Sequence, residues 1–397
     1  MHGPRVPVAT YRLQFHRGFR FGDARALVPY LDALGVSDLY ASPLLAARRG
    51  STHGYDVTDP TRLNPELGTE EDFASLTGAL RARGMGLLLD LVPNLRARGM
   101  GLLLDLVPNH MAASEENPWW RDVLAHGRAS PFAPFFDIDW HPPDGSPANK
   151  VLLPILGGPY RSVLENGELT VGLEEQGFCL RYHDRRLPLA PRSWGRILAH
   201  RLEDLEAALG ALHPAVRGVR DLLAALERLP AAGSPGAGAE RGGEWGRPAL
   251  ARRLWNLYRG HAEIRAFLDE TLGILGGKRG DREGLALLDR LLREQAYRLC
   301  FWREGNEAIN YRRFFAVSDL VGLRVEEPAV FEATHALPFR LVGEKQVTGF
   351  RVDHVDGLLD PLGYLRRLQE QCLPAGAGGG PEGLYVVVEK ILCGDEA

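Results

Sequence analysis

The sequence predicts an α/β protein in which parallel strand–helix units are interrupted by a large, mostly helical segment. Three observations carry this prediction. Strand-like and helix-like patterns alternate over the start of the chain, helical patterns dominate 144–290, and strand signals return from 347 onwards. Alternation of this kind is typical of parallel βα units, because the crossover between two parallel strands usually contains a helix.

The elements before the insert follow one another in regular order. Residues 8–15 suit a strand, 21–34 have helical spacing, and 37–41 read as a second strand. A helix is predicted over 70–83. The run GLLLDLV that comes next is short and continuously apolar, which is typical of a strand buried on both faces.

The rest of the chain divides at a change of pattern. Helices are predicted over 194–212 and 215–229, and the stretch 230–249 is a loop by its Pro and Gly content. The domain prediction is 1–112 for strands one to three, 113–300 for the insert, and 301–397 for the continuation. We count five strands: 8–15, 37–41, 102–107, 347–353 and 384–389, with a helix over 361–372 before the last.

Bulk properties are those of a soluble globular protein. Of the 397 residues 45% are hydrophobic and 25% are charged, and the net charge of -4 is spread without a basic stripe, which argues against nucleic-acid binding. The sequence predicts neither a signal peptide nor a membrane span. Four scattered cysteines without a CxxC pair fit reduced thiols and a cytoplasmic location: Cys179, Cys300, Cys372 and Cys393.

A block of fifteen residues, LRARGMGLLLDLVPN, occurs at 80–94 and again at 95–109. The two copies cannot form neighbouring parallel strands, because nine residues separate Val92 from Leu102 and a parallel crossover needs about a dozen. We predict that the second copy lies in the sheet, since only it leads into His110. The alternative keeps the first copy in the sheet, with Asp90 in the site.

Polar side chains stand at or near the ends of three predicted strands. The carboxyl ends of parallel strands surround a single pocket in an α/β barrel, so these side chains are expected to converge. They are Asp105, Asn109 and His110 in the first segment, Arg351, Asp353 and His354 in the second, and Glu389 in the third.

Two of these carboxylates have unlike surroundings. Asp353 lies between two potential cations, which predicts a depressed pKa and suits a nucleophile. Glu389 ends an apolar run, so partial desolvation would favour its protonated form, as a general acid requires. Two such groups about 5–5.5 Å apart form the machinery of a retaining glycosidase. The open alternatives are a purely structural Asp105, a helix N-cap at Asn109 and a simple ion pair at Asp353.

DLVPNH at 105–110, GFRVDH at 349–354 and VVEK at 387–390 resemble the first three signature regions of the α-amylase superfamily, in the same order. Further segments narrow the resemblance to the malto-oligosyltrehalose synthase family and extend it over nearly the whole chain. Among them are ATYRLQFHRGFRF, LYASPLLAARRGSTHGYDVTDPTRLNPELG, KVLLPILGGPY and FWREGNEAINYRRFF.

That resemblance implies a reaction and a set of roles. The family isomerises the reducing-end α-1,4 linkage of a malto-oligosaccharide to an α,α-1,1 linkage by a retaining mechanism. Carried over, Asp353 is the nucleophile and Glu389 the general acid/base. The resemblance further implies that Arg351 keeps Asp353 ionised and that Asn109 and His110 bind the sugar at the cleavage subsite. Asp105 would orient their loop, and His354 would contact the sugar on the leaving side. Tyr55 would be an aromatic platform for the sugar, unless it is a core tyrosine.

The resemblance also implies an eight-stranded (β/α)8 TIM barrel and a third carboxylate on its seventh strand. Only five strands are counted here, and the last residues, LCGDEA, do not match the region that carries that carboxylate. We therefore expect an incomplete barrel from an N-terminal fragment, exposed strand edges and little or no activity of the chain alone. A hydrolase of α-1,4-glucan and a non-catalytic glucan-binding remnant stay open as alternatives. A malto-oligosaccharide is the expected partner, and no cofactor, metal or membrane is expected.

Overall fold

The structure is a computed structural model that describes residues 6–83, 100–142, 148–229, 247–276, 281–305, 309–372, 383–392 and 394. The chain divides into two compact units. The first consists of Met1–Asn117 and Arg313–Ala397, and the second of Pro118–Arg312. The side chains that the sequence singled out for chemistry all belong to the first unit.

The strands are numbered in chain order: β1 (Thr10–Leu13), β2 (Asp38–Ala41), β3 (Leu45–Ala47), β4 (Val57–Leu63), β5 (Gly101–Leu106), β6 (His110–Ala112), β7 (Val151–Leu156), β8 (Leu169–Glu174), β9 (Gly177–Tyr182), β10 (Arg185–Pro188), β11 (Tyr297–Phe301), β12 (Arg313–Phe314), β13 (Val317–Gly322), β14 (Gly349–Val352) and β15 (Tyr385–Val388).

The α-helices are α1 (Phe21–Ala33), α2 (Glu70–Ala82), α3 (Pro118–His126), α4 (Tyr160–Glu165), α5 (Trp194–Ala199), α6 (Leu202–Leu209), α7 (Pro214–Glu227), α8 (Arg247–Gly260), α9 (Ala262–Leu275), α10 (Arg282–Arg293), α11 (Pro328–Gly343) and α12 (Pro361–Cys372).

A five-stranded parallel sheet forms the centre of the first unit, in the order β1-β2-β5-β14-β15. Each of the five predicted strands is present, and each pairs with the next one that the sequence predicted. The α/β class with a parallel sheet is thereby confirmed. Strand β5 is buried along its whole length, as its continuous apolar run predicted, because it lies between β2 and β14.

The second copy of the repeated block supplies β5, so the prediction about the two copies is confirmed for the strand that enters the sheet. Asp105 is paired with Arg351 of β14 in the register. Gly101 is required at the start of this strand, because an added Cβ would overlap with the carboxylate of Asp38 and the hydroxyl of Thr348. Residues 84–99, which include most of the first copy and Asp90, lie outside the described residues.

Two helices of the first unit pack together through aromatic residues. The rings of Phe21 in α1 and Phe73 in α2 lie 5.2 Å apart, and both side chains are buried. Helix α2 begins with a capping box, in which Thr69 and Asp72 each satisfy a backbone N–H of the other. These contacts hold α1 and α2 together and fix the start of α2.

The second unit is a mixture of helices and small sheets. Strands β8, β9 and β10 form an antiparallel sheet, and β7 pairs with β11 in parallel. The prediction of one helix over 194–212 is wrong, because the chain breaks between α5 and α6 at Arg201. That residue has a left-handed backbone with φ of 57°, and its side chain is held by Asp204 and Glu270.

A three-stranded antiparallel sheet, β12-β13-β6, lies beside the strand ends of the first unit. Gly322 of β13 pairs with His110 of β6, so the hairpin of β12 and β13 is anchored at a predicted site residue. Among the described helices, none has the length and apolar character needed to cross a membrane.

Candidate active site

The carboxyl ends of β5, β14 and β15 bring the predicted carboxylates together. Asp105 lies in β5 beside Arg351 of β14, and Asp353 directly follows β14. The backbone N–H of Glu389, after β15, donates to the carbonyl of Val352 at 2.9 Å. Parallel register therefore gathers residues that are far apart in the sequence, as predicted for side chains at neighbouring strand ends.

The Asp105 carboxylate is buried and fully engaged by side chains. One oxygen accepts hydrogen bonds from the hydroxyls of Tyr40, at 2.9 Å, and Tyr55, at 2.6 Å. The other accepts from Nη1 of Arg351 at 2.9 Å. Burial raises the pKa of Asp105, and the bonds from Tyr55 and Arg351 oppose that rise. Asp105 thus fixes the groups around it through its side chain.

A single guanidinium nitrogen joins two carboxylates. Nη1 of Arg351 donates to Asp105 at 2.9 Å and to Asp353 at 2.6 Å. Burial on its own would lower the pKa of Arg351, but the two carboxylates raise it above its ordinary value. The arginine therefore keeps its charge and orients both acids.

The predicted depression of the Asp353 pKa is wrong. Burial raises the pKa of Asp353 above its ordinary value, even though the hydrogen bond and charge of Arg351 act in the opposite direction. Nearby Asp105 and Glu389 add to the rise. The second expected cation is engaged elsewhere, because Nδ1 of His354 lies 3.4 Å from the carboxylate of Asp356.

Glu389 is half-buried, and one of its oxygens is held by the main chain. Oε2 accepts a hydrogen bond from the backbone N–H of His354 at 3.0 Å. His354 presents this N–H from a left-handed conformation, with φ of 48° and ψ of 50°. Gly357 permits the arrangement, since a Cβ there would overlap with the His354 ring. The bond fixes the carboxyl group of Glu389 next to Asp353.

Asn109 and His110 are both buried beside these acids. His110 begins strand β6, so the alternative of a helix N-cap at Asn109 is wrong. The carbonyl of Asn109 accepts from the N–H of Leu323 at 2.9 Å, and the His110 ring lies 4.3 Å from that of Phe314. The antiparallel sheet therefore holds both side chains at the ends of the parallel strands.

Comparison with known proteins finds one matching family profile and several similar proteins. The profile described as the alpha amylase catalytic domain matches residues 22–96. A protein of Mycobacterium tuberculosis (strain ATCC 25618 / H37Rv), described as a putative maltooligosyl trehalose synthase, is 36% identical over 395 residues. That match covers 98% of this chain and 35% of the relative. The chain is thus similar to the alpha-amylase catalytic domain over residues 22–96 and to the mycobacterial protein over nearly its whole length.

Solved structures agree with this family and with the narrower resemblance found in the motifs. Maltooligosyltrehalose synthase from Arthrobacter ramosus is similar with a TM-score of 0.62 and 30% identity, over 98% of this chain and 35% of that one. A hypothetical maltooligosyl trehalose synthase from Sulfolobus tokodaii gives a TM-score of 0.59 and 27% identity, over 98% and 36%. The sequence resemblance is confirmed, and the chain spans about 35% of the length of the curated relative.

Sequence reasoning missed several residues of this candidate site. Tyr40 lies in β2, and Arg12 of β1 stands 5.3 Å from its ring centre and within 3.4 Å of the Tyr55 hydroxyl. Phe314 and Phe315 come from the antiparallel hairpin. The alternation of side chains along β1 and β2 was a usable signal for Arg12 and Tyr40, since both strands point polar groups toward Asp105.

The donor set around the carboxylates is that of an acid–base site. Within the described ranges, no group of three or more His, Cys, Asp or Glu side chains is arranged to hold a metal ion. The positive charge beside the two aspartates comes from Arg351. The site combines the buried carboxylate of Asp353, the half-buried carboxylate of Glu389 and the cation of Arg351, and such a set of groups is suited to glycosyl transfer.

Proposed function

We propose that the protein converts the reducing-end α-1,4 linkage of a malto-oligosaccharide into an α,α-1,1 linkage, which leaves a non-reducing trehalosyl end. One observation carries the proposal. Arg351 holds Asp353 beside Glu389 at neighbouring strand ends, in a chain similar over 98% of its length to a putative maltooligosyl trehalose synthase. A retaining mechanism needs such a pair of carboxyl groups.

In the proposed first step, Glu389 donates its proton to the glycosidic oxygen while an oxygen of Asp353 attacks the anomeric carbon. The bond from that carbon to the terminal glucose breaks, and a glycosyl ester on Asp353 forms. Arg351 stabilises the ionised nucleophile through the 2.6 Å hydrogen bond. Since Oε2 of Glu389 is held by the His354 N–H, Oε1 is the oxygen that carries the proton.

In the second step the released glucose stays and presents its anomeric hydroxyl. Glu389, now a carboxylate, takes the proton of that hydroxyl, and the hydroxyl oxygen attacks the anomeric carbon of the ester. The ester bond breaks, Asp353 leaves as a carboxylate, and the 1,1 linkage is complete. Water must be excluded during this interval, because attack by water would give hydrolysis.

The binding roles belong to the same proposal. Asn109 and His110 hydrogen-bond the sugar at the cleavage subsite, and His354 contacts the sugar on the leaving side. The hydroxyl of Tyr55 is tied to Asp105 by the 2.6 Å hydrogen bond, which fixes the ring that serves as the platform. Asp105 orients these groups through Arg351 and the two tyrosines.

We further propose that the five parallel strands belong to an incomplete (β/α)8 barrel, with 113–300 as an insert after the third strand. Support comes from the consecutive strand order and from the similarity to solved synthase structures. The domain limits of 1–112, 113–300 and 301–397 and a cytoplasmic location are part of this proposal.

The experiment is incubation of the purified protein with maltopentaose, followed by separate measurement of reducing ends and chain length. Isomerisation lowers reducing ends at constant mass, whereas hydrolysis raises them and shortens the chain. A 5-fluoro-glucosyl fluoride should trap the ester on Asp353, detectable by peptide mass spectrometry, and Asp353→Asn should abolish labelling. Labelling of another residue, or growth of reducing ends alone, would contradict the proposal.

A further inference from the structure

An arginine of strand β1, at the edge of the parallel sheet, faces the tyrosines that bind Asp105. Arg12 lies opposite Tyr40 of β2 in the register, and its guanidinium carbon is 5.3 Å from the centre of the Tyr40 ring. Its Nη2 donates to the hydroxyl oxygen of Tyr55 at 3.4 Å. Within the described ranges, no carboxylate lies at ion-pair distance from Arg12. Its charge is therefore directed at two phenols that themselves donate to Asp105.

The direction of the hydrogen bonds around Tyr55 follows from the chemistry of the donors. A guanidinium N–H can only donate, so the Tyr55 oxygen accepts from Arg12, and the one hydroxyl proton goes to Asp105 at 2.6 Å. Arg351 binds the other oxygen of Asp105 and also binds Asp353. A continuous chain of contacts thus runs from Arg12 through Tyr55, Asp105 and Arg351 to Asp353.

Arg12 stands one layer below the acids. Arg12 and Leu103 of β5 lie opposite Tyr40 from its two sides. Asp105 is two residues farther along β5, so its side chain is on the same face as that of Leu103 and closer to the carboxyl ends of the strands. From this lower layer, Arg12 acts on the acids through the two tyrosines.

A second residue on the same face of the chain holds the loop that carries Tyr55. Gln14 comes two residues after Arg12, and its Nε2 donates to the backbone carbonyls of Thr52 at 3.1 Å and His53 at 3.2 Å. The loop is thereby anchored at the end of β1 by contacts that do not involve the guanidinium. Substitution of Arg12 is therefore expected to remove a charge and a hydrogen bond at Tyr55 without releasing its loop.

The electrostatic balance around Tyr55 indicates what the charge of Arg12 does. Burial raises the pKa of Tyr55, the charge of Asp105 adds to the rise, and the hydrogen bond from Arg12 opposes it. Burial on its own would lower the pKa of Arg12, but the contacts with the two tyrosines raise it. Arg12 therefore stays charged, and it polarises the Tyr55 hydroxyl into a stronger donor to Asp105.

We propose that Arg12 is a positioning residue that keeps Asp105, and through Arg351 the nucleophile Asp353, ionised from the far end of the hydrogen-bond chain. This inference rests on the proposed function, because that function makes Asp353 the nucleophile. Four other titratable or charged groups face the two aspartates: Tyr40 of β2, Tyr55 before β4, Arg351 of β14 and Glu389 after β15. All four are kept in every variant of Arg12, so a change in either aspartate reports the loss of the arginine.

Three substitutions of Arg12 separate its charge from its packing. Arg12→Gln keeps an amide donor without the charge, and Arg12→Met keeps only an apolar stem. Arg12→Lys keeps the charge without the planar fork. Arg25→Gln is the matched control, since Arg25 is an exposed arginine of α1 in the same unit. Circular dichroism and the melting temperature establish that each variant is folded.

The first readout is the pKa of Asp105 and of Asp353, measured by carbon-13 NMR of labelled carboxyl groups and assigned with Asp105→Asn and Asp353→Asn. Arg12→Gln and Arg12→Met are expected to raise both values by about half to one pH unit, with the larger rise at Asp105. Arg12→Lys should restore most of the difference, and Arg25→Gln should leave both values unchanged.

The second readout is the rate at which a 5-fluoro-glucosyl fluoride labels Asp353 as the pH is varied. Labelling needs the ionised carboxylate, whose oxygen attacks the anomeric carbon as fluoride leaves. The midpoint of the acid limb should move up in Arg12→Gln and Arg12→Met by the same amount as the pKa of Asp353. A merely structural role would lower the labelled fraction at every pH and leave the midpoint in place.

Unchanged pKa values of both aspartates in folded Arg12→Gln and Arg12→Met would overturn the inference. An equal rise in Arg25→Gln would overturn it too, because the effect would then come from net charge, and so would a failure of Arg12→Lys to restore the values. If the unsubstituted protein is not labelled on Asp353, the proposed function fails, and the NMR titration alone decides on Arg12.

Discussion

His335 of α11 is buried against α12, and we expect it to make the first unit less stable in acid. The ring of His335 stacks on Phe331 at 4.3 Å and is fully buried. Its Nδ1 lies 2.9 Å from the carbonyl of Phe331, which can only accept, so Nδ1 carries the proton. Nε2 then accepts from the hydroxyl of Tyr364 at 2.8 Å. The imidazole is neutral, and both ring nitrogens are used.

The magnitude follows from the pKa in the two states. Burial lowers the pKa of His335 from 6.5 to about 4, the hydrogen bond to Phe331 opposes this, and the charge of Arg367 lowers it further. The depressed value means that the unfolded chain takes up a proton first as the pH falls. The stabilisation is therefore complete above pH 6.5 and is lost progressively down to about pH 4. The loss amounts to about 3 kcal/mol.

The assay is urea unfolding between pH 7.5 and 4, comparing the protein with the double variant His335→Phe/Tyr364→Phe. Substituting both partners removes the titrating group without stranding the tyrosine hydroxyl. The difference in unfolding free energy between the two proteins should shift by about 3 kcal/mol across this range, because other titrating groups cancel. Parallel pH profiles for the two proteins would refute the reasoning, as would an imidazolium signal from His335 by NMR at pH 6.

Three further substitutions test other contacts of the structure. Tyr40→Phe removes one of the two tyrosine donors to Asp105, so it should lower the free energy of unfolding by about 1.5–3 kcal/mol and raise the pKa of Asp105 further. The control, Tyr30→Phe on the exposed surface of α1, should leave the free energy of unfolding unchanged. Tyr297→Phe should keep or raise stability by about 1 kcal/mol, because the buried Tyr297 hydroxyl has no hydrogen-bond partner within the described ranges, and a lower melting temperature would contradict this. Gly101→Ala should destabilise the first unit by about 2–3 kcal/mol, because its Cβ would overlap with a carboxylate of β2, and unchanged urea unfolding would show that the sheet can relax.

The burial of Asp353 raises its pKa, and the charged neighbours along the sequence did not predict this direction. A cation two residues away suggested a strongly stabilised carboxylate, and Arg351 does contact it. The same packing that positions the arginine also removes water from Asp353 and brings Asp105 and Glu389 close. Desolvation and like charges depend on what surrounds an atom in all directions, so the net direction required the folded chain.

The local pattern of the chain determined the parallel strands and their order. Short apolar runs specify strands that must be buried, and polar residues at their ends must leave the sheet on the same side. Chain geometry excluded the two repeat copies as neighbouring parallel strands, because nine residues are too few for a parallel crossover, and the second copy was predicted to enter the sheet because only it leads into His110. These features rest on covalent connection and periodicity, which are already present in the amino-acid order.

Contacts between distant segments were decided by the tertiary structure alone. Tyr40 and Tyr55 both donate to one oxygen of Asp105, and the hairpin of β12 and β13, far along the chain, brings Phe314 next to His110. The helix break at Arg201 likewise brings its side chain to Glu270, far along the chain. The periodicity of the sequence does not predict such contacts, because they arise from the packing of separate elements against one another. The sequence determined which groups stand at the strand ends, and packing determined their partners and the direction in which the pKa of Asp105 and of Asp353 shifts.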